Sequence, residues 1–167
     1  MIAQPARIIR IFALTITMLC IGTACSSMPA ESTSEISGNT RVSLSASPGE
    51  RAAAYALQQV GVPYRYGGSS PDGFDCSGLV QYSYSKAGMS VARTTSQLWA
   101  TTRAVDRRDL QAGDLLFFRF DGKMSHVAMY IGGQRFVHAP SSGKTVTVAS
   151  LDTTYYQGAF IRARRPN

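Results

Sequence analysis

The residues best suited to chemistry in this 167-residue chain are its three cysteines and two histidines. Cys20 and Cys25 lie near the amino terminus, so Cys76 is the cysteine that falls within the patterned part of the sequence. A lone cysteine is either an inert, buried side chain or a reactive thiol. Because a thiolate is nucleophilic and an imidazole can exchange protons with it, we take Cys76, His126 and His138 as the candidate catalytic set.

The position of Cys76 favours a reactive thiol. Asp75 is a good N-cap residue, and residues 74–88 carry apolar side chains at helical spacing, so we predict a helix with Cys76 in its first turn. The positive end of the helix dipole favours the thiolate there. A neighbouring imidazole would strengthen this effect through an ion pair and could later protonate a leaving amine.

The two histidines lie on predicted strands that flank Gly132 and Gly133, which indicates a hairpin. Side chains alternate between the faces of a strand, and directly paired residues share a face. A plain two-residue turn would therefore place His126 and His138 on opposite faces. If the two rings cooperate, the hairpin must contain an odd-length loop, such as Gly132 to Gln134, or a β-bulge. His138 could then bind one ring nitrogen of His126 while the other faces Cys76.

Five separated blocks carry a resemblance: YRYGG at 64–68, FDCSGLV at 74–80, GDLLFF at 113–118, HVAMYIG at 126–132 and FVH at 136–138. In order, spacing and residue type they resemble the NlpC family of bacterial cell-wall cysteine peptidases, over roughly residues 50–165. The resemblance implies a papain-like α+β fold with Cys76 as nucleophile, His126 as base and His138 as the orienting residue. The positions that match substrate-positioning and groove residues of the family are Tyr64, Asp75 and Ser77. For Tyr66 we expect only a loop aromatic that packs beneath the helix.

The resemblance also implies the substrate class. Family members cut amide bonds in peptidoglycan stem or cross-link peptides, commonly those linking D-glutamate or D-alanine to diaminopimelate, and no cofactor is expected. Hydrolysis at the sugar–peptide junction, as in related cysteine–histidine amidases, would use the same nucleophile and stays open. The whole chain has a net charge of +7, which becomes +5 if cleavage near the amino terminus removes Arg7 and Arg10, and this positive charge suits an anionic polymer. No nucleic-acid-binding motif accompanies the scattered basic residues, so we expect no nucleic-acid partner.

Elements around these residues predict an α+β class in which N-terminal helices pack on an antiparallel β-sheet. Capping residues and helix formers indicate helices over residues 50–60, 75–88 and 94–103. Short β-branched or aromatic runs predict strands over residues 114–118, 126–131, 135–138, 145–148 and 159–162. Helices followed by strands favour this segregated arrangement.

The amino terminus has the pattern of an export signal. Arg7 and Arg10 precede an apolar run over residues 11–21, and small residues lead to Cys25. We predict a signal peptide over residues 1–24, a flexible tether over 25–48 and the peptidase domain over 49–167. Cys25 resembles the lipidated first residue of a bacterial lipoprotein, which would anchor the domain to a membrane of the cell envelope. Plain cleavage without lipid, or an uncleaved anchor helix, are the alternatives.

Two other classes of function use the same residues. Cys76, His126 and His138 could be three zinc ligands with water in the fourth position, although zinc ligands usually sit closer together in sequence. A wall-binding or scaffold lipoprotein without activity is the second alternative. We expect a monomeric enzyme whose partners are peptidoglycan peptides and, through the anchor, a membrane.

Overall fold

The computed structural model of this protein describes residues 46–167. The predicted signal peptide, Cys25 and nearly all of the predicted tether lie outside the described residues, so those assignments stay predictions. Within this range, no helix is long and apolar enough to cross a membrane. The described range contains four α-helices and a 3₁₀ turn at Arg107–Asp109; the helices are α1 (Pro48–Leu57), α2 (Cys76–Lys86), α3 (Thr95–Thr101) and α4 (Thr154–Ala159).

The described strands form two antiparallel sheets. Their bounds are β1 (Ser69–Ser70), β2 (Gly73–Phe74), β3 (Arg103–Val105), β4 (Leu115–Phe120), β5 (Lys123–Gly132), β6 (Arg135–His138), β7 (Thr147–Ser150) and β8 (Phe160–Arg165). β1 pairs with β2, and the other six strands follow the order β3-β8-β4-β5-β6-β7. All strand pairs are antiparallel, which confirms the predicted α+β class with an antiparallel sheet.

Capping explains where the first helix begins. The Ser47 hydroxyl accepts a hydrogen bond from the Glu50 N–H at 3.2 Å, and the Glu50 carboxylate accepts one from the Ser47 N–H at 2.7 Å. This capping box starts α1 at Pro48, one residue before the predicted domain boundary. The helix ends at Leu57, earlier than predicted, and turns follow it, in which the N–H groups of Gln59 and Val60 donate to the carbonyls three residues earlier.

The large sheet has a hydrophobic cluster on each face. On β4, Leu115 and Phe117 pack with residues of α1, α2 and α3, whereas Leu116 and Phe118 pack with residues near α4 and β8. This alternation follows from the period of two along a strand, and cover on both faces explains why four consecutive apolar residues are buried. Helices α1, α2 and α3 therefore cover one face of the sheet, and α4 covers part of the other face.

Candidate active site

Cys76 is the first residue of α2, as predicted, and its side chain is half-buried. The Asp75 carboxylate caps the helix by accepting a hydrogen bond from the Gly78 N–H at 2.6 Å. The Cys76 Sγ lies 3.7 Å from the Thr95 Oγ1 at the start of α3. The thiol thus sits at the N-terminus of a helix, where the helix dipole is positive.

Arg93, which the sequence analysis did not single out, organises the surroundings of the cap. Its guanidinium donates to both carboxylate oxygens of Asp75, at 2.9 and 2.6 Å, and to the Ser77 hydroxyl at 3.0 Å. Burial alone raises the pKa of the Asp75 carboxyl, but the bonds from Arg93 and Gly78 outweigh it and hold that pKa below its usual range. Asp75 and Ser77 therefore hold the N-terminus of α2 in place, and their predicted contact with substrate stays a prediction.

The loop that carries Tyr64 packs directly on the first turn of α2. The Asp75 N–H donates to the Gly68 carbonyl at 3.0 Å, and a Cβ at Gly78 would overlap that same oxygen. Burial and, after it, the neighbouring acidic groups of Cys76 and Asp75 raise the pKa of the Tyr64 phenol, so Tyr64 keeps its proton as a donor. Tyr66 does not pack beneath the helix as expected, because its side chain is 90% exposed.

The two histidines share a face of the sheet because the hairpin contains a bulge. Met129 pairs with Val137 and Tyr130 with Phe136, and the register shifts before Gly132 pairs with Arg135. A bulge was one of the two arrangements that the parity argument required. The result is a 2.8 Å hydrogen bond between His126 Nε2 and His138 Nδ1, with the two residues only 6% and 2% exposed.

A second bulge lies at the other end of β5, next to the first histidine. Phe118 pairs with His126, whereas Arg119 pairs with Met124, so Ser125 is the extra residue. Bulges commonly re-aim side chains beside functional sites. Here the bulge comes directly before the strand residue that carries the imidazole.

Burial keeps both rings neutral. Burial, and after it the neighbouring His138, lowers the pKa of His126 to about 3. Burial and, after it, the positive charge of Lys144 lower the pKa of His138 to about 4. The resting pair is therefore neutral at neutral pH, in contrast to the ion pair that the sequence analysis expected of the imidazole next to Cys76.

Tyr156 on α4 completes this pair, and no pattern in the sequence pointed to it. Its hydroxyl lies 3.4 Å from the His138 Nε2, and the two rings meet edge to face. A neutral His138 that donates from Nε2 to this hydroxyl must accept at Nδ1 from the His126 Nε2–H. In that tautomer the His126 Nδ1 carries a lone pair and can serve as a base, whereas a Tyr156 hydroxyl that donates to His138 would reverse both bonds.

The structure thus brings the predicted residues together in two groups. Tyr64, Asp75 and Ser77 surround Cys76, while His126 and His138 join each other. Among the hydrogen bonds within residues 46–167, none joins the sulfur of Cys76 to either ring. Catalytic hydrogen bonds are often long in the absence of substrate, so this separation leaves the roles of both groups as predictions.

The zinc alternative finds no support in this arrangement. In the part of the chain that the structure describes, no group of three or more histidine, cysteine, aspartate or glutamate side chains is placed to hold a metal ion. Two of the ring nitrogens that zinc would need face each other across 2.8 Å.

Comparison with known proteins identifies the domain. Residues 61–165 match the NlpC/P60 family. The chain is similar to the murein DD-endopeptidase MepH of Escherichia coli, with 41% identity over 115 residues that cover 65% of this chain and 42% of MepH. It is also similar to the gamma-D-glutamyl-L-lysine dipeptidyl-peptidase of Bacillus subtilis, with 36% identity over 109 residues that cover 64% of this chain and 37% of that protein.

A solved structure extends the likeness to the fold. The NlpC/p60 domain of the peptidoglycan hydrolase SagA superimposes with a TM-score of 0.60 and 34% identity, over 70% of this chain and 97% of that domain. The chain spans less than half the length of the two relatives named above. The family match covers well over half of this chain, and the predicted family is confirmed: the chain belongs to the NlpC/P60 family.

Proposed function

We propose that this protein is a cysteine endopeptidase that hydrolyses amide bonds in peptidoglycan stem or cross-link peptides. The observation that carries the proposal is the 2.8 Å hydrogen bond between two buried, neutral histidines in a domain whose half-buried cysteine begins a helix. Burying two imidazoles is costly, so a purely structural role gives a weak reason for the pair.

Cys76 supplies the nucleophile. Its place at the N-terminus of α2 favours the thiolate, and the backbone N–H of the same residue is available to stabilise an oxyanion. Tyr64, whose raised pKa keeps it protonated, is the neighbouring side chain suited to donate a hydrogen bond to substrate or oxyanion.

His126 moves the proton. Its Nδ1 accepts the thiol proton as the sulfur attacks the carbonyl carbon and the carbonyl electron pair moves to oxygen. The tetrahedral intermediate then collapses, the carbon–nitrogen bond breaks, and the imidazolium gives its proton to the leaving amine. Water, deprotonated by the same ring, hydrolyses the thioester and returns the thiol. His138 and Tyr156 orient the ring throughout.

The names of the relatives support the substrate class. MepH is named as a murein endopeptidase, SagA as a peptidoglycan hydrolase, and the Bacillus subtilis relative as a gamma-D-glutamyl peptidase. These names differ in the bond they describe, and the bonds proposed here are those from D-glutamate or D-alanine to diaminopimelate. Removal of the predicted signal peptide with Arg7 and Arg10 changes the net charge from +7 to +5, which still suits an anionic wall polymer.

We propose that the chain works outside the cytoplasm, in the cell envelope. The proposal rests on the sequence of residues 1–25, in which two arginines, an apolar run and small residues precede Cys25. Lipid on that cysteine would tether the domain to a membrane facing the wall.

The test is mass spectrometry of fragments released from purified peptidoglycan by the wild-type chain and by Cys76→Ala. We expect new peptide termini at one amide bond, and at least about 1,000-fold less release by the variant, because no other group can form the thioester. A urea unfolding curve unchanged within about 1 kcal/mol would show that the variant is folded.

Two outcomes would contradict the proposal. Equal release by the folded Cys76→Ala variant removes the nucleophile and the mechanism with it. Release of intact stem peptides with free lactyl ends on the sugar assigns the enzyme to sugar–peptide amide hydrolysis, which is the alternative activity.

A further inference from the structure

A cavity of about 380 Å³ opens beside the histidine pair, and the mechanism above assigns no substrate group to it. Both histidines line it, together with Phe120 and Tyr155, which stack with ring centroids 5.5 Å apart, and with Lys144. Its volume lies in the range of ligand-binding clefts and exceeds that of one amino-acid side chain.

Lys144 gives this cavity its charge. The other lining side chains are aromatic, hydroxyl-bearing or apolar, apart from the two histidines, which burial keeps neutral. No aspartate or glutamate belongs to the lining. The cavity therefore presents one positive charge, beside the imidazole pair.

The backbone of Lys144 fixes where this side chain starts. Its N–H donates to the Ser141 carbonyl at 3.1 Å, and its carbonyl accepts from the Tyr64 N–H at 2.8 Å. The residue thus links the loop after β6 to the loop that packs on α2. A side chain rooted between the cysteine group and the histidine group is well placed to contact a bound peptide.

The chemistry of the leaving group decides what the cavity would bind. In the proposed mechanism His126 protonates the leaving amine, so the residue that carries this amine lies on the histidine side of the site. When the amine belongs to an α-amino-acid centre, its carbon also carries a carboxyl group. At an internal peptide bond that carboxyl is consumed by the next amide, whereas at a cross-link to a side-chain amine of diaminopimelate it is a free carboxylate.

We propose that Lys144 is the carboxylate-binding residue of this site, and that the cavity accepts a leaving residue whose amine-bearing carbon carries a free carboxylate. This inference rests on the proposed peptidase function and narrows its substrate to cross-link peptides. An ammonium binds a carboxylate through charge-assisted hydrogen bonds, and the aromatic pair offers an apolar surface for the methylene chain of diaminopimelate.

The experiment compares two synthetic cross-link peptides that are identical except that this carboxyl is either free or converted to a carboxamide. The wild type should prefer the carboxylate about fivefold, through KM, as expected for an exposed ion pair. Lys144→Met should abolish the preference and Lys144→Arg should keep it. Lys86→Met, which removes a lysine that lies over the Tyr82 ring, is the matched control and should keep it as well.

A second measurement separates binding from structure. Removing the positive charge should raise the pKa of His138 from its lowered value, which an NMR titration of the histidine rings would show for Lys144→Met and not for Lys86→Met. Added salt should reduce the wild-type preference, because salt screens an exposed charge.

The outcomes distinguish the two proposals. If the wild type cleaves the carboxamide as fast as the carboxylate, or if Lys144→Met keeps the preference, the carboxylate site is overturned and the peptidase proposal stands. If the wild type cleaves neither peptide, and Cys76→Ala matches it on peptidoglycan, both proposals are overturned.

Discussion

Because two histidines are buried in the folded protein, its free energy of unfolding should depend on pH between about 7.5 and 5.5. An unfolded histidine has a pKa of about 6.5, so both rings of the unfolded chain take up protons in this interval. In the folded chain the pKa values are about 3 for His126 and about 4 for His138, so neither ring does. Because the folded-state pKa values are lowered, the two rings contribute their full stabilisation above about pH 6.5. This contribution is lost as the pH falls toward the folded-state pKa values.

The magnitude follows from the number of protons. For each ring, the free energy of unfolding falls by about 1.4 kcal/mol per unit decrease in pH, once the ring is protonated in the unfolded chain and neutral in the folded chain. Summed over two rings and corrected for partial protonation near pH 6.5, the free energy of unfolding should fall by about 3 kcal/mol from pH 7.5 to 5.5. This is a large fraction of the roughly 5–15 kcal/mol that stabilises a typical domain.

Urea unfolding at the two pH values measures the effect. The chain has only two histidines, and both belong to the buried pair, so histidine titration can be assigned to this pair. In His138→Gln one titrating ring is gone while an amide can still bond to His126, so roughly half of the pH dependence should persist. A free energy of unfolding that does not change with pH would refute the burial argument. Stability that rises as the pH falls would show a protonated His126, as in an ion pair with Cys76.

Two further predictions concern single side chains. Tyr156→Phe removes the hydroxyl that lies 3.4 Å from His138. It should lower kcat about three- to tenfold with little change in KM, because one neutral hydrogen bond is worth about 1 kcal/mol. Tyr55→Phe on α1 is the control, and an equal loss of kcat in that variant would contradict the orienting role. Cys25→Ser should abolish incorporation of labelled fatty acid in a bacterial host, whereas Cys20→Ser should retain it, and label on the Cys25→Ser protein would disprove the anchor.

The cysteine side of the site could be predicted because its determinants are local. Asp75 caps a helix whose buried face includes Leu79, Val80 and Tyr84, and all of these residues lie within ten positions of Cys76. Helical spacing and N-cap preference are enough to place the thiol at the helix start. The loop residues that pack on this helix turn were visible only through their resemblance to the family.

For the two histidines, the sequence predicted only what the hairpin would need for both side chains to share a face. Parity required either an odd-length loop or a bulge, and the sequence alone could not choose between them. The bulge beside Gly132 decides it, in a turn where Gln134 adopts a φ of 57°. A non-glycine residue with positive φ is uncommon, and no rule of turn composition pointed to this one.

Residues that depend on distant contacts were missed. Arg93 lies in a segment between two helices, 18 residues from the carboxylate it binds. Tyr156 belongs to a six-residue helix, α4, which is too short to show helical periodicity. Strand β3 also escaped prediction, since its three residues pair only with β8 at the far end of the chain. In each case the partner is fixed by the sheet and not by neighbouring sequence.

The neutral histidine pair poses a chemical problem that the rest of the site must solve. An imidazole with a pKa of about 3 is a poor base, since general bases work best when their pKa is close to the working pH. In the proposed mechanism the charge created on the sulfur of Cys76 would compensate, because a nearby anion raises the pKa of an imidazole. Proton transfer and thiolate formation therefore depend on each other, and a substrate that excludes water from the site strengthens both. If the proposed mechanism holds, the thiol of Cys76 and the neutral imidazole of His126 become reactive together when a peptide binds.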